Sequence, residues 1–150
     1  MTEMARADGG DPGARVVEFE IPSDVRHIDD VVDAVRRECA AMAFTDRHLS
    51  LNVPVALTEA LANAILRGNR DDPDKHVRVR ARVDTARVVI EVSDEGAGFD
   101  LEACTVDPTT PDRLLQEDGR GLFLMRELMD HVERVEVLRG NVVRMTLHRA

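Results

Sequence analysis

Between Arg15 and Ile21 the apolar Val17, Phe19 and Ile21 alternate with Val16, Glu18 and Glu20, a period of two that predicts a strand closed by Pro22. From Asp24 the period changes. Val25, Ile28, Val31, Val32, Val35, Cys39 and Met42 recur at steps of three and four, with acids at the front and Arg36-Arg37 later, which predicts an amphipathic helix ending near Ala43. A second helical region follows Thr45-Asp46 and runs to Arg67. Pro54 is expected in its first turn, where its missing N–H is least costly, and Gly68-Asn69 is the stop signal. Residues 76–83 and 86–92 alternate or run apolar around Asp84-Thr85 and read as a β-hairpin. Residues 100–118 carry Pro108 and Pro111 without firm periodicity, a long loop of the kind that forms lids. Leu122, Met125, Leu128 and Met129 mark a helix over 121–131, and residues 132–138 and 142–147 form a closing hairpin around Arg139-Gly140-Asn141.

The order strand, helix, helix, hairpin, lid, helix, hairpin predicts an α/β two-layer sandwich, a mainly antiparallel sheet with helices on one face. Residues 1–14, rich in Gly, Asp, Ala and Arg, are expected to be a mobile segment, leaving 15–150 as a single domain. A chain of 150 residues fits one core. With 43% hydrophobic and 33% charged residues the composition is not that of a disordered chain.

Charge removes one class of function. Twenty-nine acidic against twenty basic residues give a formal charge of −9, which repels a nucleic-acid backbone at long range. Cys39 and Cys104 have no CxxC spacing and no His or Cys cluster beside them, so neither a zinc site nor a disulfide framework is indicated and a reducing compartment fits. The chain opens without a signal-peptide core, and no run approaches the roughly twenty apolar residues that span a bilayer. A soluble, cytoplasmic protein is the expectation.

Three constellations carry candidate chemistry. On the second helix Leu57, Leu61, Ala64 and Ile65 share a core face, while Glu59, Asn63, Arg67 and Arg70 form a polar stripe at about 100° per residue. Read alone, that stripe is an ordinary solvated face. An Asn inside a helix is nevertheless mildly unfavourable, by roughly half a kcal/mol against Ala. A carboxylate and an amide carbonyl one turn apart suit a site in which the amide oxygen ligates Mg²⁺ and the carboxylate orients or deprotonates a hydroxyl. The second constellation, Asp94-Glu95-Gly96-Ala97-Gly98, follows the apolar run Val88-Val89-Ile90-Glu91-Val92. A carboxylate fixed at a strand end can accept the exocyclic amine of adenine, and with no Trp or Tyr the pocket would be aliphatic. The third, Gly119-Arg120-Gly121-Leu122, places glycines at the start of a helix whose free N–H groups can receive phosphate.

Together these residues resemble the Bergerat-type ATP-binding superfamily of gyrases, heat-shock chaperones, histidine kinases and mismatch-repair ATPases. Glu59 to Asn63 resembles its N box, residues 94–98 its adenine-binding glycine box, and Gly119-Arg120-Gly121-Leu122 its second glycine box. The wording Leu-Thr-Glu-Ala-Leu-Ala-Asn-Ala-Ile and Gly-Leu-Phe-Leu-Met-Arg-Glu-Leu-Met-Asp is most similar to the anti-sigma-factor serine kinases, over nearly the whole chain from Val16. The resemblance implies the histidine-kinase-like ATPase fold, with ATP and Mg²⁺ as cofactors. It implies Glu59 as the catalytic base, Asn63 as the Mg²⁺ ligand and Asp94 as the adenine reader. Gly96, Gly98, Gly119, Gly121 and Leu122 would shape the pocket. The acceptor implied is a Ser or Thr on a STAS-type antagonist, a sigma factor is the competing partner, and homodimers are common among similar proteins. The chain departs from the family pattern at Arg67, where many relatives have His, at Glu117-Asp118, where some have a basic residue, and at Gly140-Asn141, usually Gly-Thr. Arg120 or Arg67 is then the cation left for the γ-phosphate.

Besides a detached histidine-kinase catalytic domain, for which no preceding helix offers a phospho-acceptor pair, two other readings stay open on sequence. One is a nucleotide-binding regulatory module that captures a partner without phosphorylating it. The other is an acidic adaptor that binds no nucleotide.

Overall fold

The computed structural model describes residues 2–8, 11–96, 117–137 and 140–150. Among these residues six strands form a single antiparallel sheet in the order β1-β2-β3-β4-β6-β5: β1 (Thr2–Asp8), β2 (Asp11–Pro22), β3 (His76–Val83), β4 (Arg87–Asp94), β5 (His131–Val137) and β6 (Gly140–His148). Three helices, α1 (Ile28–Ala41), α2 (Val53–Asn63) and α3 (Glu117–Leu128), supply the second layer. The two-layer α/β architecture follows the sequence pattern closely. In β3 and β4 every second residue is buried, and Val77, Val79, Ala81, Val83, Val88, Ile90 and Val92 turn towards the helices. The opposite face carries charge. Arg80 lies 3.5 Å from both Glu18 and Glu91, and Arg144 lies 3.6 Å from Glu91 and 3.0 Å from Glu133. Such partly exposed pairs add little stability, so burial on the helix side holds the sheet.

One difference from expectation lies at the N-terminus. Thr2–Asp8, expected within a mobile segment, pairs antiparallel with β2, with Met4 opposite Glu18 and Arg6 opposite Val16. The pairing rests on backbone N–H and C=O groups, which every non-proline residue carries, so a segment without apolar alternation gives no warning of it.

Asp24 accepts a hydrogen bond from the Arg26 backbone N–H at 2.9 Å and starts a 3₁₀ turn, Val25–His27, that leads into α1. Ile28, Val31, Val32, Val35 and Cys39 of α1 are buried, as their spacing predicts. α2 packs against α1, α3 and β4, and burial of Val53, Ala56, Leu57, Ala60 and Leu61 explains its apolar composition. The helical stretch His48–Gly68, at 21 residues, is long and apolar enough by composition to cross a membrane, which the sequence reading did not expect. In the fold Val53, Ala56, Leu57, Ala60, Leu61, Ala64 and Ile65 are buried in the core while Leu51 and Leu66 are exposed, and Asn52 ties the start of the stretch to α3 by donating to the Leu128 carbonyl at 2.7 Å. Wide π-type turns, His48–Asn52 and Ala64–Gly68, flank α2. The second of these bonds i to i+5, so the 100° arithmetic that put Arg67 and Arg70 in line with Glu59 and Asn63 fails beyond Asn63. Arg70 leaves the helix in a left-handed conformation with φ 53°.

Candidate functional site

Alternation along β4 assigns its last residue, Asp94, to the buried face, in line with Val88, Ile90 and Val92. Asp94 is only 6% exposed, and burial pushes its carboxyl above the usual carboxylate range. Hydrogen bonds from the Gly96 N–H at 2.9 Å and from Asn141 Nδ2 at 3.5 Å, with the positive charge of Arg134, pull the other way. Among the described residues both donors reach Oδ1. The Oδ2 side rests on Gly68, where a Cβ would fall 2.3 Å from that oxygen, so a side chain at 68 would take the carboxylate's place. The turn after Asp94 is equally tight. A Cβ on Gly96 would lie 1.6 Å from the Gly68 carbonyl oxygen, and Gly140, at φ +141°, lies against the Asp94 carbonyl.

Asn69 holds this turn from below. Fully buried, it accepts from the Glu95 N–H at 2.8 Å and donates to the Ser23 hydroxyl at 2.9 Å and the His76 carbonyl at 3.0 Å. The sequence marks Gly68-Asn69 only as a helix stop, yet both residues build the site. The signal available was an amide beside a glycine at a helix end, too common in that role to point further.

Glu59 and Asn63 stand on α2, partly exposed, and the first turns of α3 run across them. A Cβ on the buried Gly121 would come to 2.8 Å from Glu59 Oε2 and 3.6 Å from Asn63 Nδ2, so a glycine there opens space beside both groups. The Nδ2 atom of Asn63 is buried without a hydrogen-bond partner among the described residues. α3 begins at Glu117, earlier than the expected start at Gly121, so Gly119, Arg120 and Gly121 lie inside its first turns and do not precede it. The N–H groups without helical partners are then those of the residues just after Glu117. Leu122 is 1% exposed and its side chain belongs to the core, so only its backbone can face a ligand. Arg67 is exposed in the turn after α2. Gly98 and residues 100–116 of the lid expected over 100–118 lie outside the described residues, and its last two, Glu117 and Asp118, belong to α3.

The constellations read from sequence thus meet across one stretch of chain. The turn Ala64–Gly68 starts directly after Asn63 and ends at the glycine under Asp94, linking a carboxylate-amide pair to a buried carboxylate. This arrangement fits a nucleotide with Mg²⁺. Mg²⁺ typically keeps waters and takes few protein oxygens beside phosphates, which a single amide fits, and among the described residues no three His, Cys, Asp or Glu are grouped so as to hold a metal ion by themselves. The two ends of an Asn amide exchange by a half-turn, so the unpartnered buried position at Asn63 can present its carbonyl oxygen to a metal. A groove of about 520 Å³ lies elsewhere, on the charged sheet face between Glu18, Glu20, Arg78 and Arg80, and shares no residue with this site.

Residues 21–147 match the family model of the histidine kinase-like ATPase domain. The chain is 30% identical over 138 residues to the serine-protein kinase RsbW of Bacillus subtilis (strain 168), covering 89% of this chain and 85% of that one. It is 35% identical over 97 residues to the anti-sigma F factor of Heyndrickxia coagulans, covering 63% and 66%. In three dimensions it is similar to the crystal structure of the RsbU and RsbW domains of a Mycobacterium tuberculosis protein, with TM-score 0.59 at 16% identity over 87% of this chain and 32% of that one. It is also similar to the mycobacterial sensor histidine kinase MprB, with TM-score 0.52 at 18% identity over 87% and 97%. At these identities the structural likeness speaks for the fold alone. With the family model spanning most of its length, the chain belongs to the histidine kinase-like ATPase family, in the branch that holds the RsbW and anti-sigma F serine kinases.

Proposed function

We propose that this protein is an ATP-dependent serine/threonine kinase that phosphorylates a STAS-type antagonist and exchanges that antagonist for a sigma factor. The observation that supports it best is Gly121 against both Glu59 and Asn63, which leaves a carboxylate and an unpartnered amide facing one gap. In this reading Asp94 accepts the exocyclic amine of adenine, and Gly68 and Gly96 let the chain close tightly around that carboxylate. Asn63 would hold Mg²⁺, which would supply charge neutralisation at the phosphates. Glu59 takes the proton of the attacking hydroxyl as its oxygen bonds to the γ-phosphorus and ADP departs. Arg120 or Arg67 completes the phosphate contacts. The rate then derives from positioning and electrostatics, with no covalent enzyme intermediate.

Phosphorylation would add roughly two negative charges to the antagonist's interface and release it, freeing the kinase for the sigma factor. The reading places the protein in the cytoplasm as a homodimer. Glu59→Gln keeps size and helix propensity but cannot accept the proton. It is expected to lower phosphoprotein formation from Mg-ATP about 100-fold or more while ADP affinity, measured by calorimetry, stays within about twofold. An unchanged rate rejects Glu59 as base. Nucleotide-dependent capture of the antagonist with no phosphate transfer replaces the kinase reading with a purely regulatory module.

A further inference from the structure

The sheet register puts three polar side chains in one row on the helix-covered face. Asp94 is the direct partner of Asn141, and Arg134, opposite Val143, is the diagonal neighbour of Asn141. Arg134 sends Nε, at 3.0 Å, and Nη2 to the same atom, Asn141 Oδ1. A guanidinium has donors only, so the amide atom it touches must be the oxygen. The orientation of the Asn141 amide is thereby fixed. Its Nδ2 points at Asp94 Oδ1, 3.5 Å away, and at the Gly96 carbonyl, 3.4 Å away. The reversed amide would set its oxygen against a buried carboxylate and a carbonyl, three acceptors with no proton among them. Asn141 is 2% exposed, so water cannot relieve that arrangement.

We propose that Arg134 is a positioning residue that acts through Asn141 to keep Asp94 a hydrogen-bond acceptor, and so sets the preference for adenine over guanine. The proposal rests on the reading of Asp94 as the base-recognising group. An accepting carboxylate suits the amine at C6 of adenine and repels the carbonyl oxygen that guanine carries there. A protonated Asp94 would donate and erase the distinction. Other described groups around Asp94 do not supply the charge. Gly68 and Gly96 are neutral, and Glu95 turns away to the His76 N–H. Burial favours the proton on Asp94, and Arg134 with Asn141 opposes it.

The test is calorimetric titration of the full chain with ADP and GDP between pH 6 and 8. Arg134→Met is expected to lower ADP affinity about 10-fold at pH 7, to move the acid-side loss of affinity to higher pH, and to shrink the ADP-to-GDP ratio. Arg134→Lys keeps the charge without the fork and is expected to fall between. With Asn141→Thr already present there is no amide to orient, so adding Arg134→Met removes only its direct charge and should change the ratio several-fold less than in the parent. The proposal is overturned if Arg134→Met leaves affinity, pH profile and ratio within twofold of the parent, or if its effect is equal in both backgrounds. Should Arg134→Met fail to fold, Arg134→Lys in the two backgrounds decides by the same criterion. Asp94→Asn separates the two readings. If it leaves ADP binding intact, the base-recognition reading falls; if it weakens ADP while Arg134→Met does nothing, only the present inference falls.

Discussion

Asp94 and Glu59 are both carboxylates set against a glycine, yet the chain treats them differently. Asp94 ends a central strand, is almost wholly buried, and receives hydrogen bonds from Gly96 and Asn141. Glu59 sits on a helix, partly exposed, with the bare face of Gly121 near its Oε2. A group that recognises a rigid base gains from being held and desolvated, because every donor is already aimed. A group that must take a proton from an incoming hydroxyl needs access, and a glycine beside it leaves that path open. In the proposed function, local packing suits one of two like carboxylates to recognition and the other to chemistry, in the way that divergent environments separate acid and base roles in enzymes.

The largest effect is expected from closing the recognition end. Gly96→Ala would drive a methyl to 1.6 Å from the Gly68 carbonyl oxygen, a backbone atom that cannot step aside. The turn after Asp94 must open, with the Asn69 to Glu95 hydrogen bond. A loss of about 3 kcal/mol or more in urea unfolding is expected, as for other severe overpacking, together with loss of measurable ADP binding. Stability within about 1 kcal/mol of the parent would show that the turn is far more yielding than its contacts indicate.

Next in size is Asp94→Asn. The folded-state pKa of Asp94 lies above its unfolded value, so the group favours folding fully below the unfolded value, and that contribution disappears as pH rises through the folded one. At pH 7 to 8 the ionised carboxylate is therefore a cost that the neutral Asn avoids. The variant is expected to melt above the parent at pH 8, with the gap closing as pH falls towards the ordinary carboxylate range. Its ADP affinity should drop about 10- to 100-fold, the usual scale for a lost hydrogen bond to a charged group. A variant less stable than the parent at pH 8 would mean that the bonds to Gly96 and Asn141 outweigh the burial.

This contrast was only half legible in the sequence. Alternation in residues 86–92 and 142–147, carried forward by the strict period of two, assigns Asp94 and Asn141 to the same face as Ile90 and Met145. A core-facing carboxylate opposite a core-facing amide could therefore be inferred once the two strands are known to pair. That β4 pairs with β6 is a long-range fact, and although the closing hairpin is local, reading Asn141 into its turn hid the residue's place in β6 beside Arg134. Asn69 was hidden because its partners Ser23, His76 and Glu95 come from three separate segments. On the chemistry side the i, i+4 spacing of Glu59 and Asn63 was readable because α2 is regular there. It stopped being readable at the π-type turn, which moves Arg67 and Arg70 off the predicted stripe. The strand β1 left no apolar trace, and the start of α3 at Glu117 was masked by two glycines that ordinarily argue against helix.

The smallest change in stability is expected at the other glycine. Gly121→Ala also creates a close contact, but with the far end of a side chain, 2.8 Å from Glu59 Oε2. Glu59 can swing by a few tenths of an ångström, whereas the Gly68 backbone cannot. Replacing Gly by Ala inside a helix adds roughly 0.5–1 kcal/mol, which offsets the cost of moving the carboxylate. The melting temperature is expected to stay within about 3 °C of the parent. Phosphoprotein formation should still fall about 10-fold, because the base is displaced from the gap it shares with Asn63. ADP affinity should hold within about twofold, since Asp94 is untouched. Equal losses of stability and ADP affinity from Gly121→Ala and Gly96→Ala would erase the distinction between a backbone-built recognition end and a side-chain-built chemical end.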